Sequence, residues 1–290
     1  MRSSIYGIES RKCNATSQAN ATVHRAGKEK LTMSNKAASP ASMQPFVLLS
    51  FGGGVNSTAL LVGLEERAER PDAILFADTG GEKPGTYQHI ERMQEWLASK
   101  KFPPITVLKQ SLTLEQDCLD RETLPGKAFG FGSCSDRFKI QPQKRWLREN
   151  NVTNPMWLVG IHNGEKHRAE RTLNQRTDVR FPLIEWEWDQ EDCIEAIRCA
   201  GLPIPIKSAC FYCPSMRKQE VLALAKSDPE LFQRAVEMER AAKEAGALQT
   251  VKGLGRRWSW ESLVKADESQ LRLPLFDDVQ APICDQCVDW

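Results

Sequence analysis

Apolar residues along the chain gather into short runs separated by turn residues, and between the runs they recur at helical spacing. FVLLSF (46–51), AILFAD (73–78), ITVL (105–108) and MWLVGI (156–161) are strand-length runs with few polar residues, the pattern of strands buried on both faces. The intervening segments carry a period near 3.6. Ala59, Leu60, Leu61 and Leu64 follow the first run, and Tyr87, Ile90, Met93 and Leu97 line PGTYQHIERMQEWL, with Pro84 at the helix start. This alternation predicts an α/β fold: a Rossmann-like, doubly wound, mostly parallel sheet with ligand sites at the carboxyl ends of its strands. A mainly helical C-terminal part is expected after it. Asp189 is a predicted N-cap for a helix ending at Gly201 before Pro203, and Asp228-Pro229 opens another that runs to Gly246. Residues 252–290 read as irregular.

The pattern also divides the chain. Residues 1–44 show neither alternation nor an apolar stripe and carry seven Lys and Arg against two Asp and Glu, so they are expected to be a disordered leader. GKEKLTM can be encoded by a purine-rich run like a bacterial ribosome-binding site, which points to translation starting at Met33 or Met43. Residues 45–225 are the predicted nucleotide-binding domain, and 226–290 a helical region with a cysteine-containing tail. The formal net charge of +1 excludes a global attraction to nucleic acid or an anionic membrane and leaves room only for local patches. No apolar run reaches the roughly 18 residues of a membrane span. Nine unevenly spaced cysteines without a secretory signal read as metal or redox ligands in a cytoplasmic protein.

The first strand runs into Gly52-Gly53-Gly54-Val55-Asn56-Ser57-Thr58. Ser57 stands where a dinucleotide fingerprint needs a third glycine, and a Walker A lysine is absent. What remains is a glycine turn at a helix start, where backbone amides face an anion and Ser57 and Thr58 add hydroxyl donors. Three glycines cost backbone entropy that a simple turn does not require, which favours phosphate binding over a bare turn.

This loop resembles the pyrophosphate loop, Ser-Gly-Gly-x-Asp-Ser, of the adenine nucleotide α-hydrolase superfamily, with Gly52 in place of the Ser and Asn56 in place of the Asp. FADTGGEKPGTYQHIERM, WLVGIHNGEKHRAER and FPLIEWEWDQEDCIEAIRCAGLP resemble, in the same order, segments of its phosphoadenosine phosphosulfate (PAPS) reductase branch, so that the likeness covers about residues 46–225. It implies an adenine nucleotide (ATP, adenylyl sulfate or PAPS) held at Gly52, Gly53, Gly54, Asn56, Ser57 and Thr58, with Asp78 and Thr79 meeting its sugar or phosphate. Arg168 and Arg171 are candidates for bidentate pairing with phosphate or sulfate oxygens, or for a solvated helix face.

Cys210-Phe-Tyr-Cys213-Pro is a second signal, since two cysteines three apart grip one metal or cluster. Cys134 lies in GSCSDRFKIQP, which resembles the first cysteine motif of iron–sulfur adenylylsulfate reductases, with Ser133 replacing one member of its Cys-Cys pair. The resemblance implies a [4Fe–4S] cluster on Cys134, Cys210 and Cys213, zinc being the alternative. Cys287 or Cys284 of the tail is the expected fourth ligand, which would leave the other as a redox or sulfur-carrying thiol. Cys193 reads as core, and Cys118 and Cys199 have no partner pattern.

Relatives of this branch reduce an adenylyl sulfate to sulfite with a cysteine nucleophile from a Glu-Cys-Gly motif that is absent here, so Cys284 or Cys287 is its expected substitute. A thiol reductant such as thioredoxin is the implied partner. The alternative is ATP-dependent sulfur transfer to nucleic acid, which needs a sulfur donor, Mg²⁺ and a basic groove such as RFKIQPQKRWLR (137–148) or KGLGRRWSW (252–260). A non-catalytic nucleotide-binding module is the third reading. Oligomeric state is not encoded in any of these motifs.

Overall fold

The computed structural model describes residues 44–174 and 176–271. They form two compact units that are interleaved along the chain: 44–76, 84–108 and 144–208 make the first, and 77–83, 109–143 and 209–271 the second. In chain order the elements begin with β1 (Phe46–Ser50), α1 (Val55–Glu66), β2 (Ala73–Asp78), α2 (Pro84–Ser99), β3 (Ile105–Lys109) and α3 (Leu114–Asp120). A single turn, α4 (Ser133–Ser135), leads through a π-helical turn (Asp136–Ile140) into α5 (Gln141–Glu149) and β4 (Pro155–Val159). Then follow α6 (Lys166–Leu173), β5 (Val179–Arg180), α7 (Pro182–Glu185), α8 (Gln190–Cys199), α9 (Lys218–Ser227), α10 (Pro229–Glu244) and α11 (Trp260–Leu271).

The sheet has the order β3-β2-β1-β4-β5 with all strands parallel, which is the expected doubly wound fold. The chain steps outward from β1 to β2 and β3, then returns to place β4 on the other side of β1. That reversal leaves a crevice between the carboxyl ends of β1 and β4, where open α/β sheets bind ligands.

The apolar runs are explained by burial on both faces. Leu49, Ile74, Phe76 and Leu158 join one core cluster with α1, α2 and α8. Their neighbours Leu48, Leu75 and Trp157 join another with Leu147 of α5 and Ala169 of α6. Successive strand residues point to opposite sides, so two helical layers demand an unbroken apolar strand. In α1 every residue from Ser57 to Leu64 is buried. A Cβ added at Gly63 would come within 2.3 Å of Trp186, and it is this glycine that lets the indole lie on the helix. Asp189 caps α8 through the amides of Glu191 and Asp192, as predicted.

The second unit is built around Phe211, Tyr212, Leu254 and Trp260 with apolar residues of α3, α9 and α10. Its buried Glu239 accepts hydrogen bonds from the amides of Leu254 (2.6 Å) and Trp260 (2.9 Å), so a carboxylate from α10 satisfies the start of α11. This corrects the expectation that everything beyond 252 is irregular. Ser259 Oγ accepts from the Ser262 amide at 3.1 Å, a capping signal the sequence carries. No helix among the described residues is long and apolar enough to cross a membrane.

Candidate functional site

In the first unit, Gly52-Gly53-Gly54 carries the chain from β1 into α1. Gly53 has φ +72°, in the left-handed region, and a Cβ there would stand 2.9 Å from Thr86 Cγ2. Gly54 is the N-cap and offers no side chain to the helix start. Among the described residues, none of the backbone amides of 52–57 donates a hydrogen bond. Six N–H groups at a helix N-terminus, at the switch point of a parallel sheet, form a nest suited to an anion.

The two hydroxyls differ from expectation. Ser57 Oγ (3.1 Å) and Thr58 Oγ1 (3.0 Å) both reach the carbonyl of Gly54, the back-bonding that short hydroxyl side chains make in a helix. The donors left facing outward are therefore the amides. Thr58 is fully buried behind the loop, and its hydroxyl also meets His89 Nε2 of α2 at 2.8 Å. Because Thr58 donates to Gly54, the imidazole serves as donor through Nε2, which leaves its buried Nδ1 without a partner among the described residues. Burial, assisted by the charge of Arg92, lowers the His89 pKa to about 4, so the ring is neutral at physiological pH.

Two neighbours of the loop have no motif in the sequence. Gly160, the first residue after β4, lies so close that an added Cβ would be 2.8 Å from the Asn56 carbonyl carbon and 2.9 Å from the Ser57 nitrogen. Ser208 brings its hydroxyl to within 3.1 Å of where a Gly54 Cβ would stand. A glycine after a strand was a visible signal for the first, whereas nothing marked the second.

Asn56 donates to Glu165 Oε2 at 3.3 Å, and Glu165 also holds Arg168 at 2.6 Å and faces His162 at 3.7 Å. Arg168 is thus tied to a carboxylate. Arg171, one turn along α6, is exposed and has no ion-pair partner among the described residues. The structure therefore brings Asn56 and Arg168 together through Glu165, which sequence reasoning did not single out.

In the second unit, Asp78 is 6% exposed, accepts from the Gly80 amide at 2.8 Å and lies 3.9 Å from Lys109 Nζ. Thr79 is also buried, and its hydroxyl and Cys210 Sγ share a hydrogen bond at 3.1 Å. The Asp-Thr-Gly turn is thereby anchored to the cysteine segment, and an isolated bridge between Glu82 and Cys210 together with the bond from the Phe211 amide to the Gly81 carbonyl (2.8 Å) adds to it. Glu82 is buried and reaches Lys139 at 3.3 Å through one oxygen, while its other oxygen has no hydrogen-bond partner among the described residues. Burial pushes the Cys210 thiol up to about 12, reinforced by Glu82, so it is held protonated.

Cys134 opens onto the π-helical turn, which a bidentate Arg137–Asp117 pair (2.9 and 3.0 Å) fastens to α3. Such turns concentrate at functional sites. Cys134 and Cys213 border the same apolar cluster that contains Cys210. So does Cys118, which is 1% exposed and whose thiol burial also pushes up to about 12, with the neighbouring Asp117 and Cys134 among the charges it senses. Among the described residues, however, no three His, Cys, Asp or Glu side chains converge closely enough to hold a metal ion. Cys134, Cys210 and Cys213 share one neighbourhood, and Cys284 and Cys287 lie outside the described residues.

Comparison with known proteins adds an independent finding. The sequence model of the phosphoadenosine phosphosulfate reductase domain matches residues 46–204. An adenosine 5'-phosphosulfate reductase of Bacillus velezensis is 28% identical over 137 residues, covering 44% of this chain and 54% of the relative. The chain thus spans about half the length of that protein. Among solved structures, a phosphoadenylyl-sulfate (PAPS) reductase from Candida auris in a phosphate complex matches at TM-score 0.39 and 16% identity, over 57% of this chain and 78% of that one. The U34-tRNA thiolase NcsA from Methanococcus maripaludis, with its [4Fe-4S] cluster, matches at TM-score 0.41 and 14% identity, over 82% and 75%.

Proposed function

The chain belongs to the phosphoadenosine phosphosulfate reductase domain family, and from that premise we infer that it holds an adenine nucleotide by its phosphate groups at residues 52–58. The observation that carries this reading is the set of loop amides, 52 to 57, that donate to nothing else among the described residues. A phosphate or phosphosulfate group satisfies them and gains from the helix dipole of α1. Neutral His89 holds Thr58 from behind, and Gly160 backs the turn, so the nest is set before the ligand arrives.

The reaction assigned to the protein is reduction of an adenylyl sulfate. A thiolate attacks sulfur, the phosphate–sulfur bridge breaks with the nucleotide monophosphate leaving, and a second thiol displaces sulfite as the pair closes to a disulfide. The electrons come from a dithiol of the thioredoxin type. Protonated Cys210 is unsuited to the attack. Arg171 is the proposed partner for the sulfate, with Arg168 available once it exchanges Glu165 for the anion. No step is assigned to a metal or cluster.

Calorimetric titration with adenosine 5'-phosphosulfate, ATP and adenosine tests the loop. Binding of the first two but not of adenosine is expected, and equal binding of adenosine would remove the phosphate reading. Sulfite release with a dithiol then tests the reaction: a tight complex without sulfite would leave the nucleotide site standing and overturn the reductase assignment.

A further inference from the structure

The cations of the two basic stretches have different fates in the second unit. Arg137 is consumed by Asp117 and Lys139 by Glu82, so this part of RFKIQPQKRWLR offers no net charge. The segment 252–257 is the opposite case. Lys252, Arg256 and Arg257 are exposed and have no carboxylate partner among the described residues. The Lys252 amide donates to the Arg256 carbonyl at 2.6 Å, closing a tight turn in which Arg256 has φ +64°.

This turn is joined to the loop that precedes Cys134. Arg256 Nη2 donates to the carbonyl of Lys127 at 2.8 Å, and Lys127 is itself exposed and unpaired among the described residues. The same loop folds back on itself, with the Phe131 amide donating to the Gly126 carbonyl at 2.9 Å, and presents Phe131 at 66% exposure between two glycines. On the other flank, Trp258 packs beneath the turn at Gly255 and lies 5.9 Å from the exposed ammonium of Lys218. The result is a surface of four cations, Lys127, Lys252, Arg256 and Arg257, with one outward phenyl ring and Lys218 at its flank.

We propose that this surface, formed by Lys127, Phe131, Lys252, Arg256 and Arg257, binds single-stranded nucleic acid. Unpaired cations track a phosphate backbone, and an exposed ring gives an unstacked base its platform. A duplex keeps its bases stacked and has no use for Phe131, which is why a single strand fits better. The surface leads along the chain to Cys134, so a strand held here lies beside the thiol-bearing segment of the same unit. The proposal goes beyond the nucleotide reading and does not depend on it.

The test is fluorescence anisotropy of the full chain with a labelled single-stranded RNA of mixed sequence and the matching duplex, without nucleotide. The wild type is expected to bind the single strand more tightly. Arg256→Gln with Arg257→Gln lowers the slope of log K against log salt by about 1.4, two phosphates at about 0.7 each. Phe131→Ala weakens single-strand binding on the order of tenfold and leaves the slope unchanged. Circular dichroism and melting confirm that both variants fold. The proposal is overturned if the wild type does not bind at about 50 mM salt, if it prefers the duplex, or if the folded variants bind as the wild type does.

Discussion

Replacing Gly160 by alanine tests how the loop is held, because the new methyl would meet backbone and not a side chain that can rotate away. Its nearest neighbours would be the Asn56 carbonyl carbon and oxygen at 2.8 and 2.9 Å and the Ser57 nitrogen at 2.9 Å. Ordinary contact begins at 3.4 Å, so the loop must retreat by 3.4 − 2.8 = 0.6 Å. A shift of that size takes a hydrogen bond of about 2.9 Å to about 3.5 Å, the limit at which it stops being one. Losing a single bond between an amide and a charged phosphate costs about 1.5–3 kcal/mol, which is roughly ten- to 150-fold in Kd. Overpacking itself costs about 1–3 kcal/mol of stability. Calorimetric titration with adenosine 5'-phosphosulfate reads the first effect and urea unfolding the second. Gly132→Ala is the control, since a Cβ there meets nothing within 4 Å. A folded Gly160→Ala protein whose Kd stays within about threefold of the wild type would refute the idea that this glycine sets the loop's position.

Three further outcomes are expected. The folded pKa of His89 lies near 4 against an unfolded value of 6.5, so the unfolded chain takes up the proton first and stability falls as pH drops from about 6.5 towards 4. The full loss is on the order of 3 kcal/mol, and urea titrations at several pH values should find that slope weakened in His89→Gln. Glu239→Ala strands two buried amides, those of Leu254 and Trp260, and is expected to cost about 2–5 kcal/mol in chemical unfolding, with α11 the first element to lose amide-exchange protection. Asp117→Asn releases the bidentate Arg137 clamp, so Cys134 should be alkylated faster, as mapped by mass spectrometry, while a rate equal to wild type would show that the π-helical turn is held by other contacts.

The strands were legible because burial on both faces leaves little room for polar residues, and β1 to β4 lie within two residues of the apolar runs. At two residues, β5 is too short to carry any pattern. The phosphate loop was legible for a local reason, three glycines before a helix, whereas its supports were not. His89 lies 31 residues from Thr58, and its spacing on α2 reads like any polar position. Cys118 showed no partner at motif spacing, yet packing places it in the cluster with Cys134, Cys210 and Cys213. Arg168 looked like an anion partner because sequence does not reveal that Glu165, three residues earlier, reaches it first.

The interleaving of the two units bears on how the chain is made and cut. On a ribosome, the first unit has all its residues once Ser208 has emerged, but the second must wait. Thr79 is synthesised 131 residues before Cys210, the thiol it hydrogen-bonds with, and Leu114 and Cys118 long before Phe211 and Trp260, with which they share a core. Stopping synthesis at 208 would leave segments 77–83 and 109–143 without their remaining core, and such exposed apolar stretches are what chaperones recognise. The same threading means that no single proteolytic cut or deletion releases either unit intact. Fragment studies of this protein would therefore report on broken halves of both.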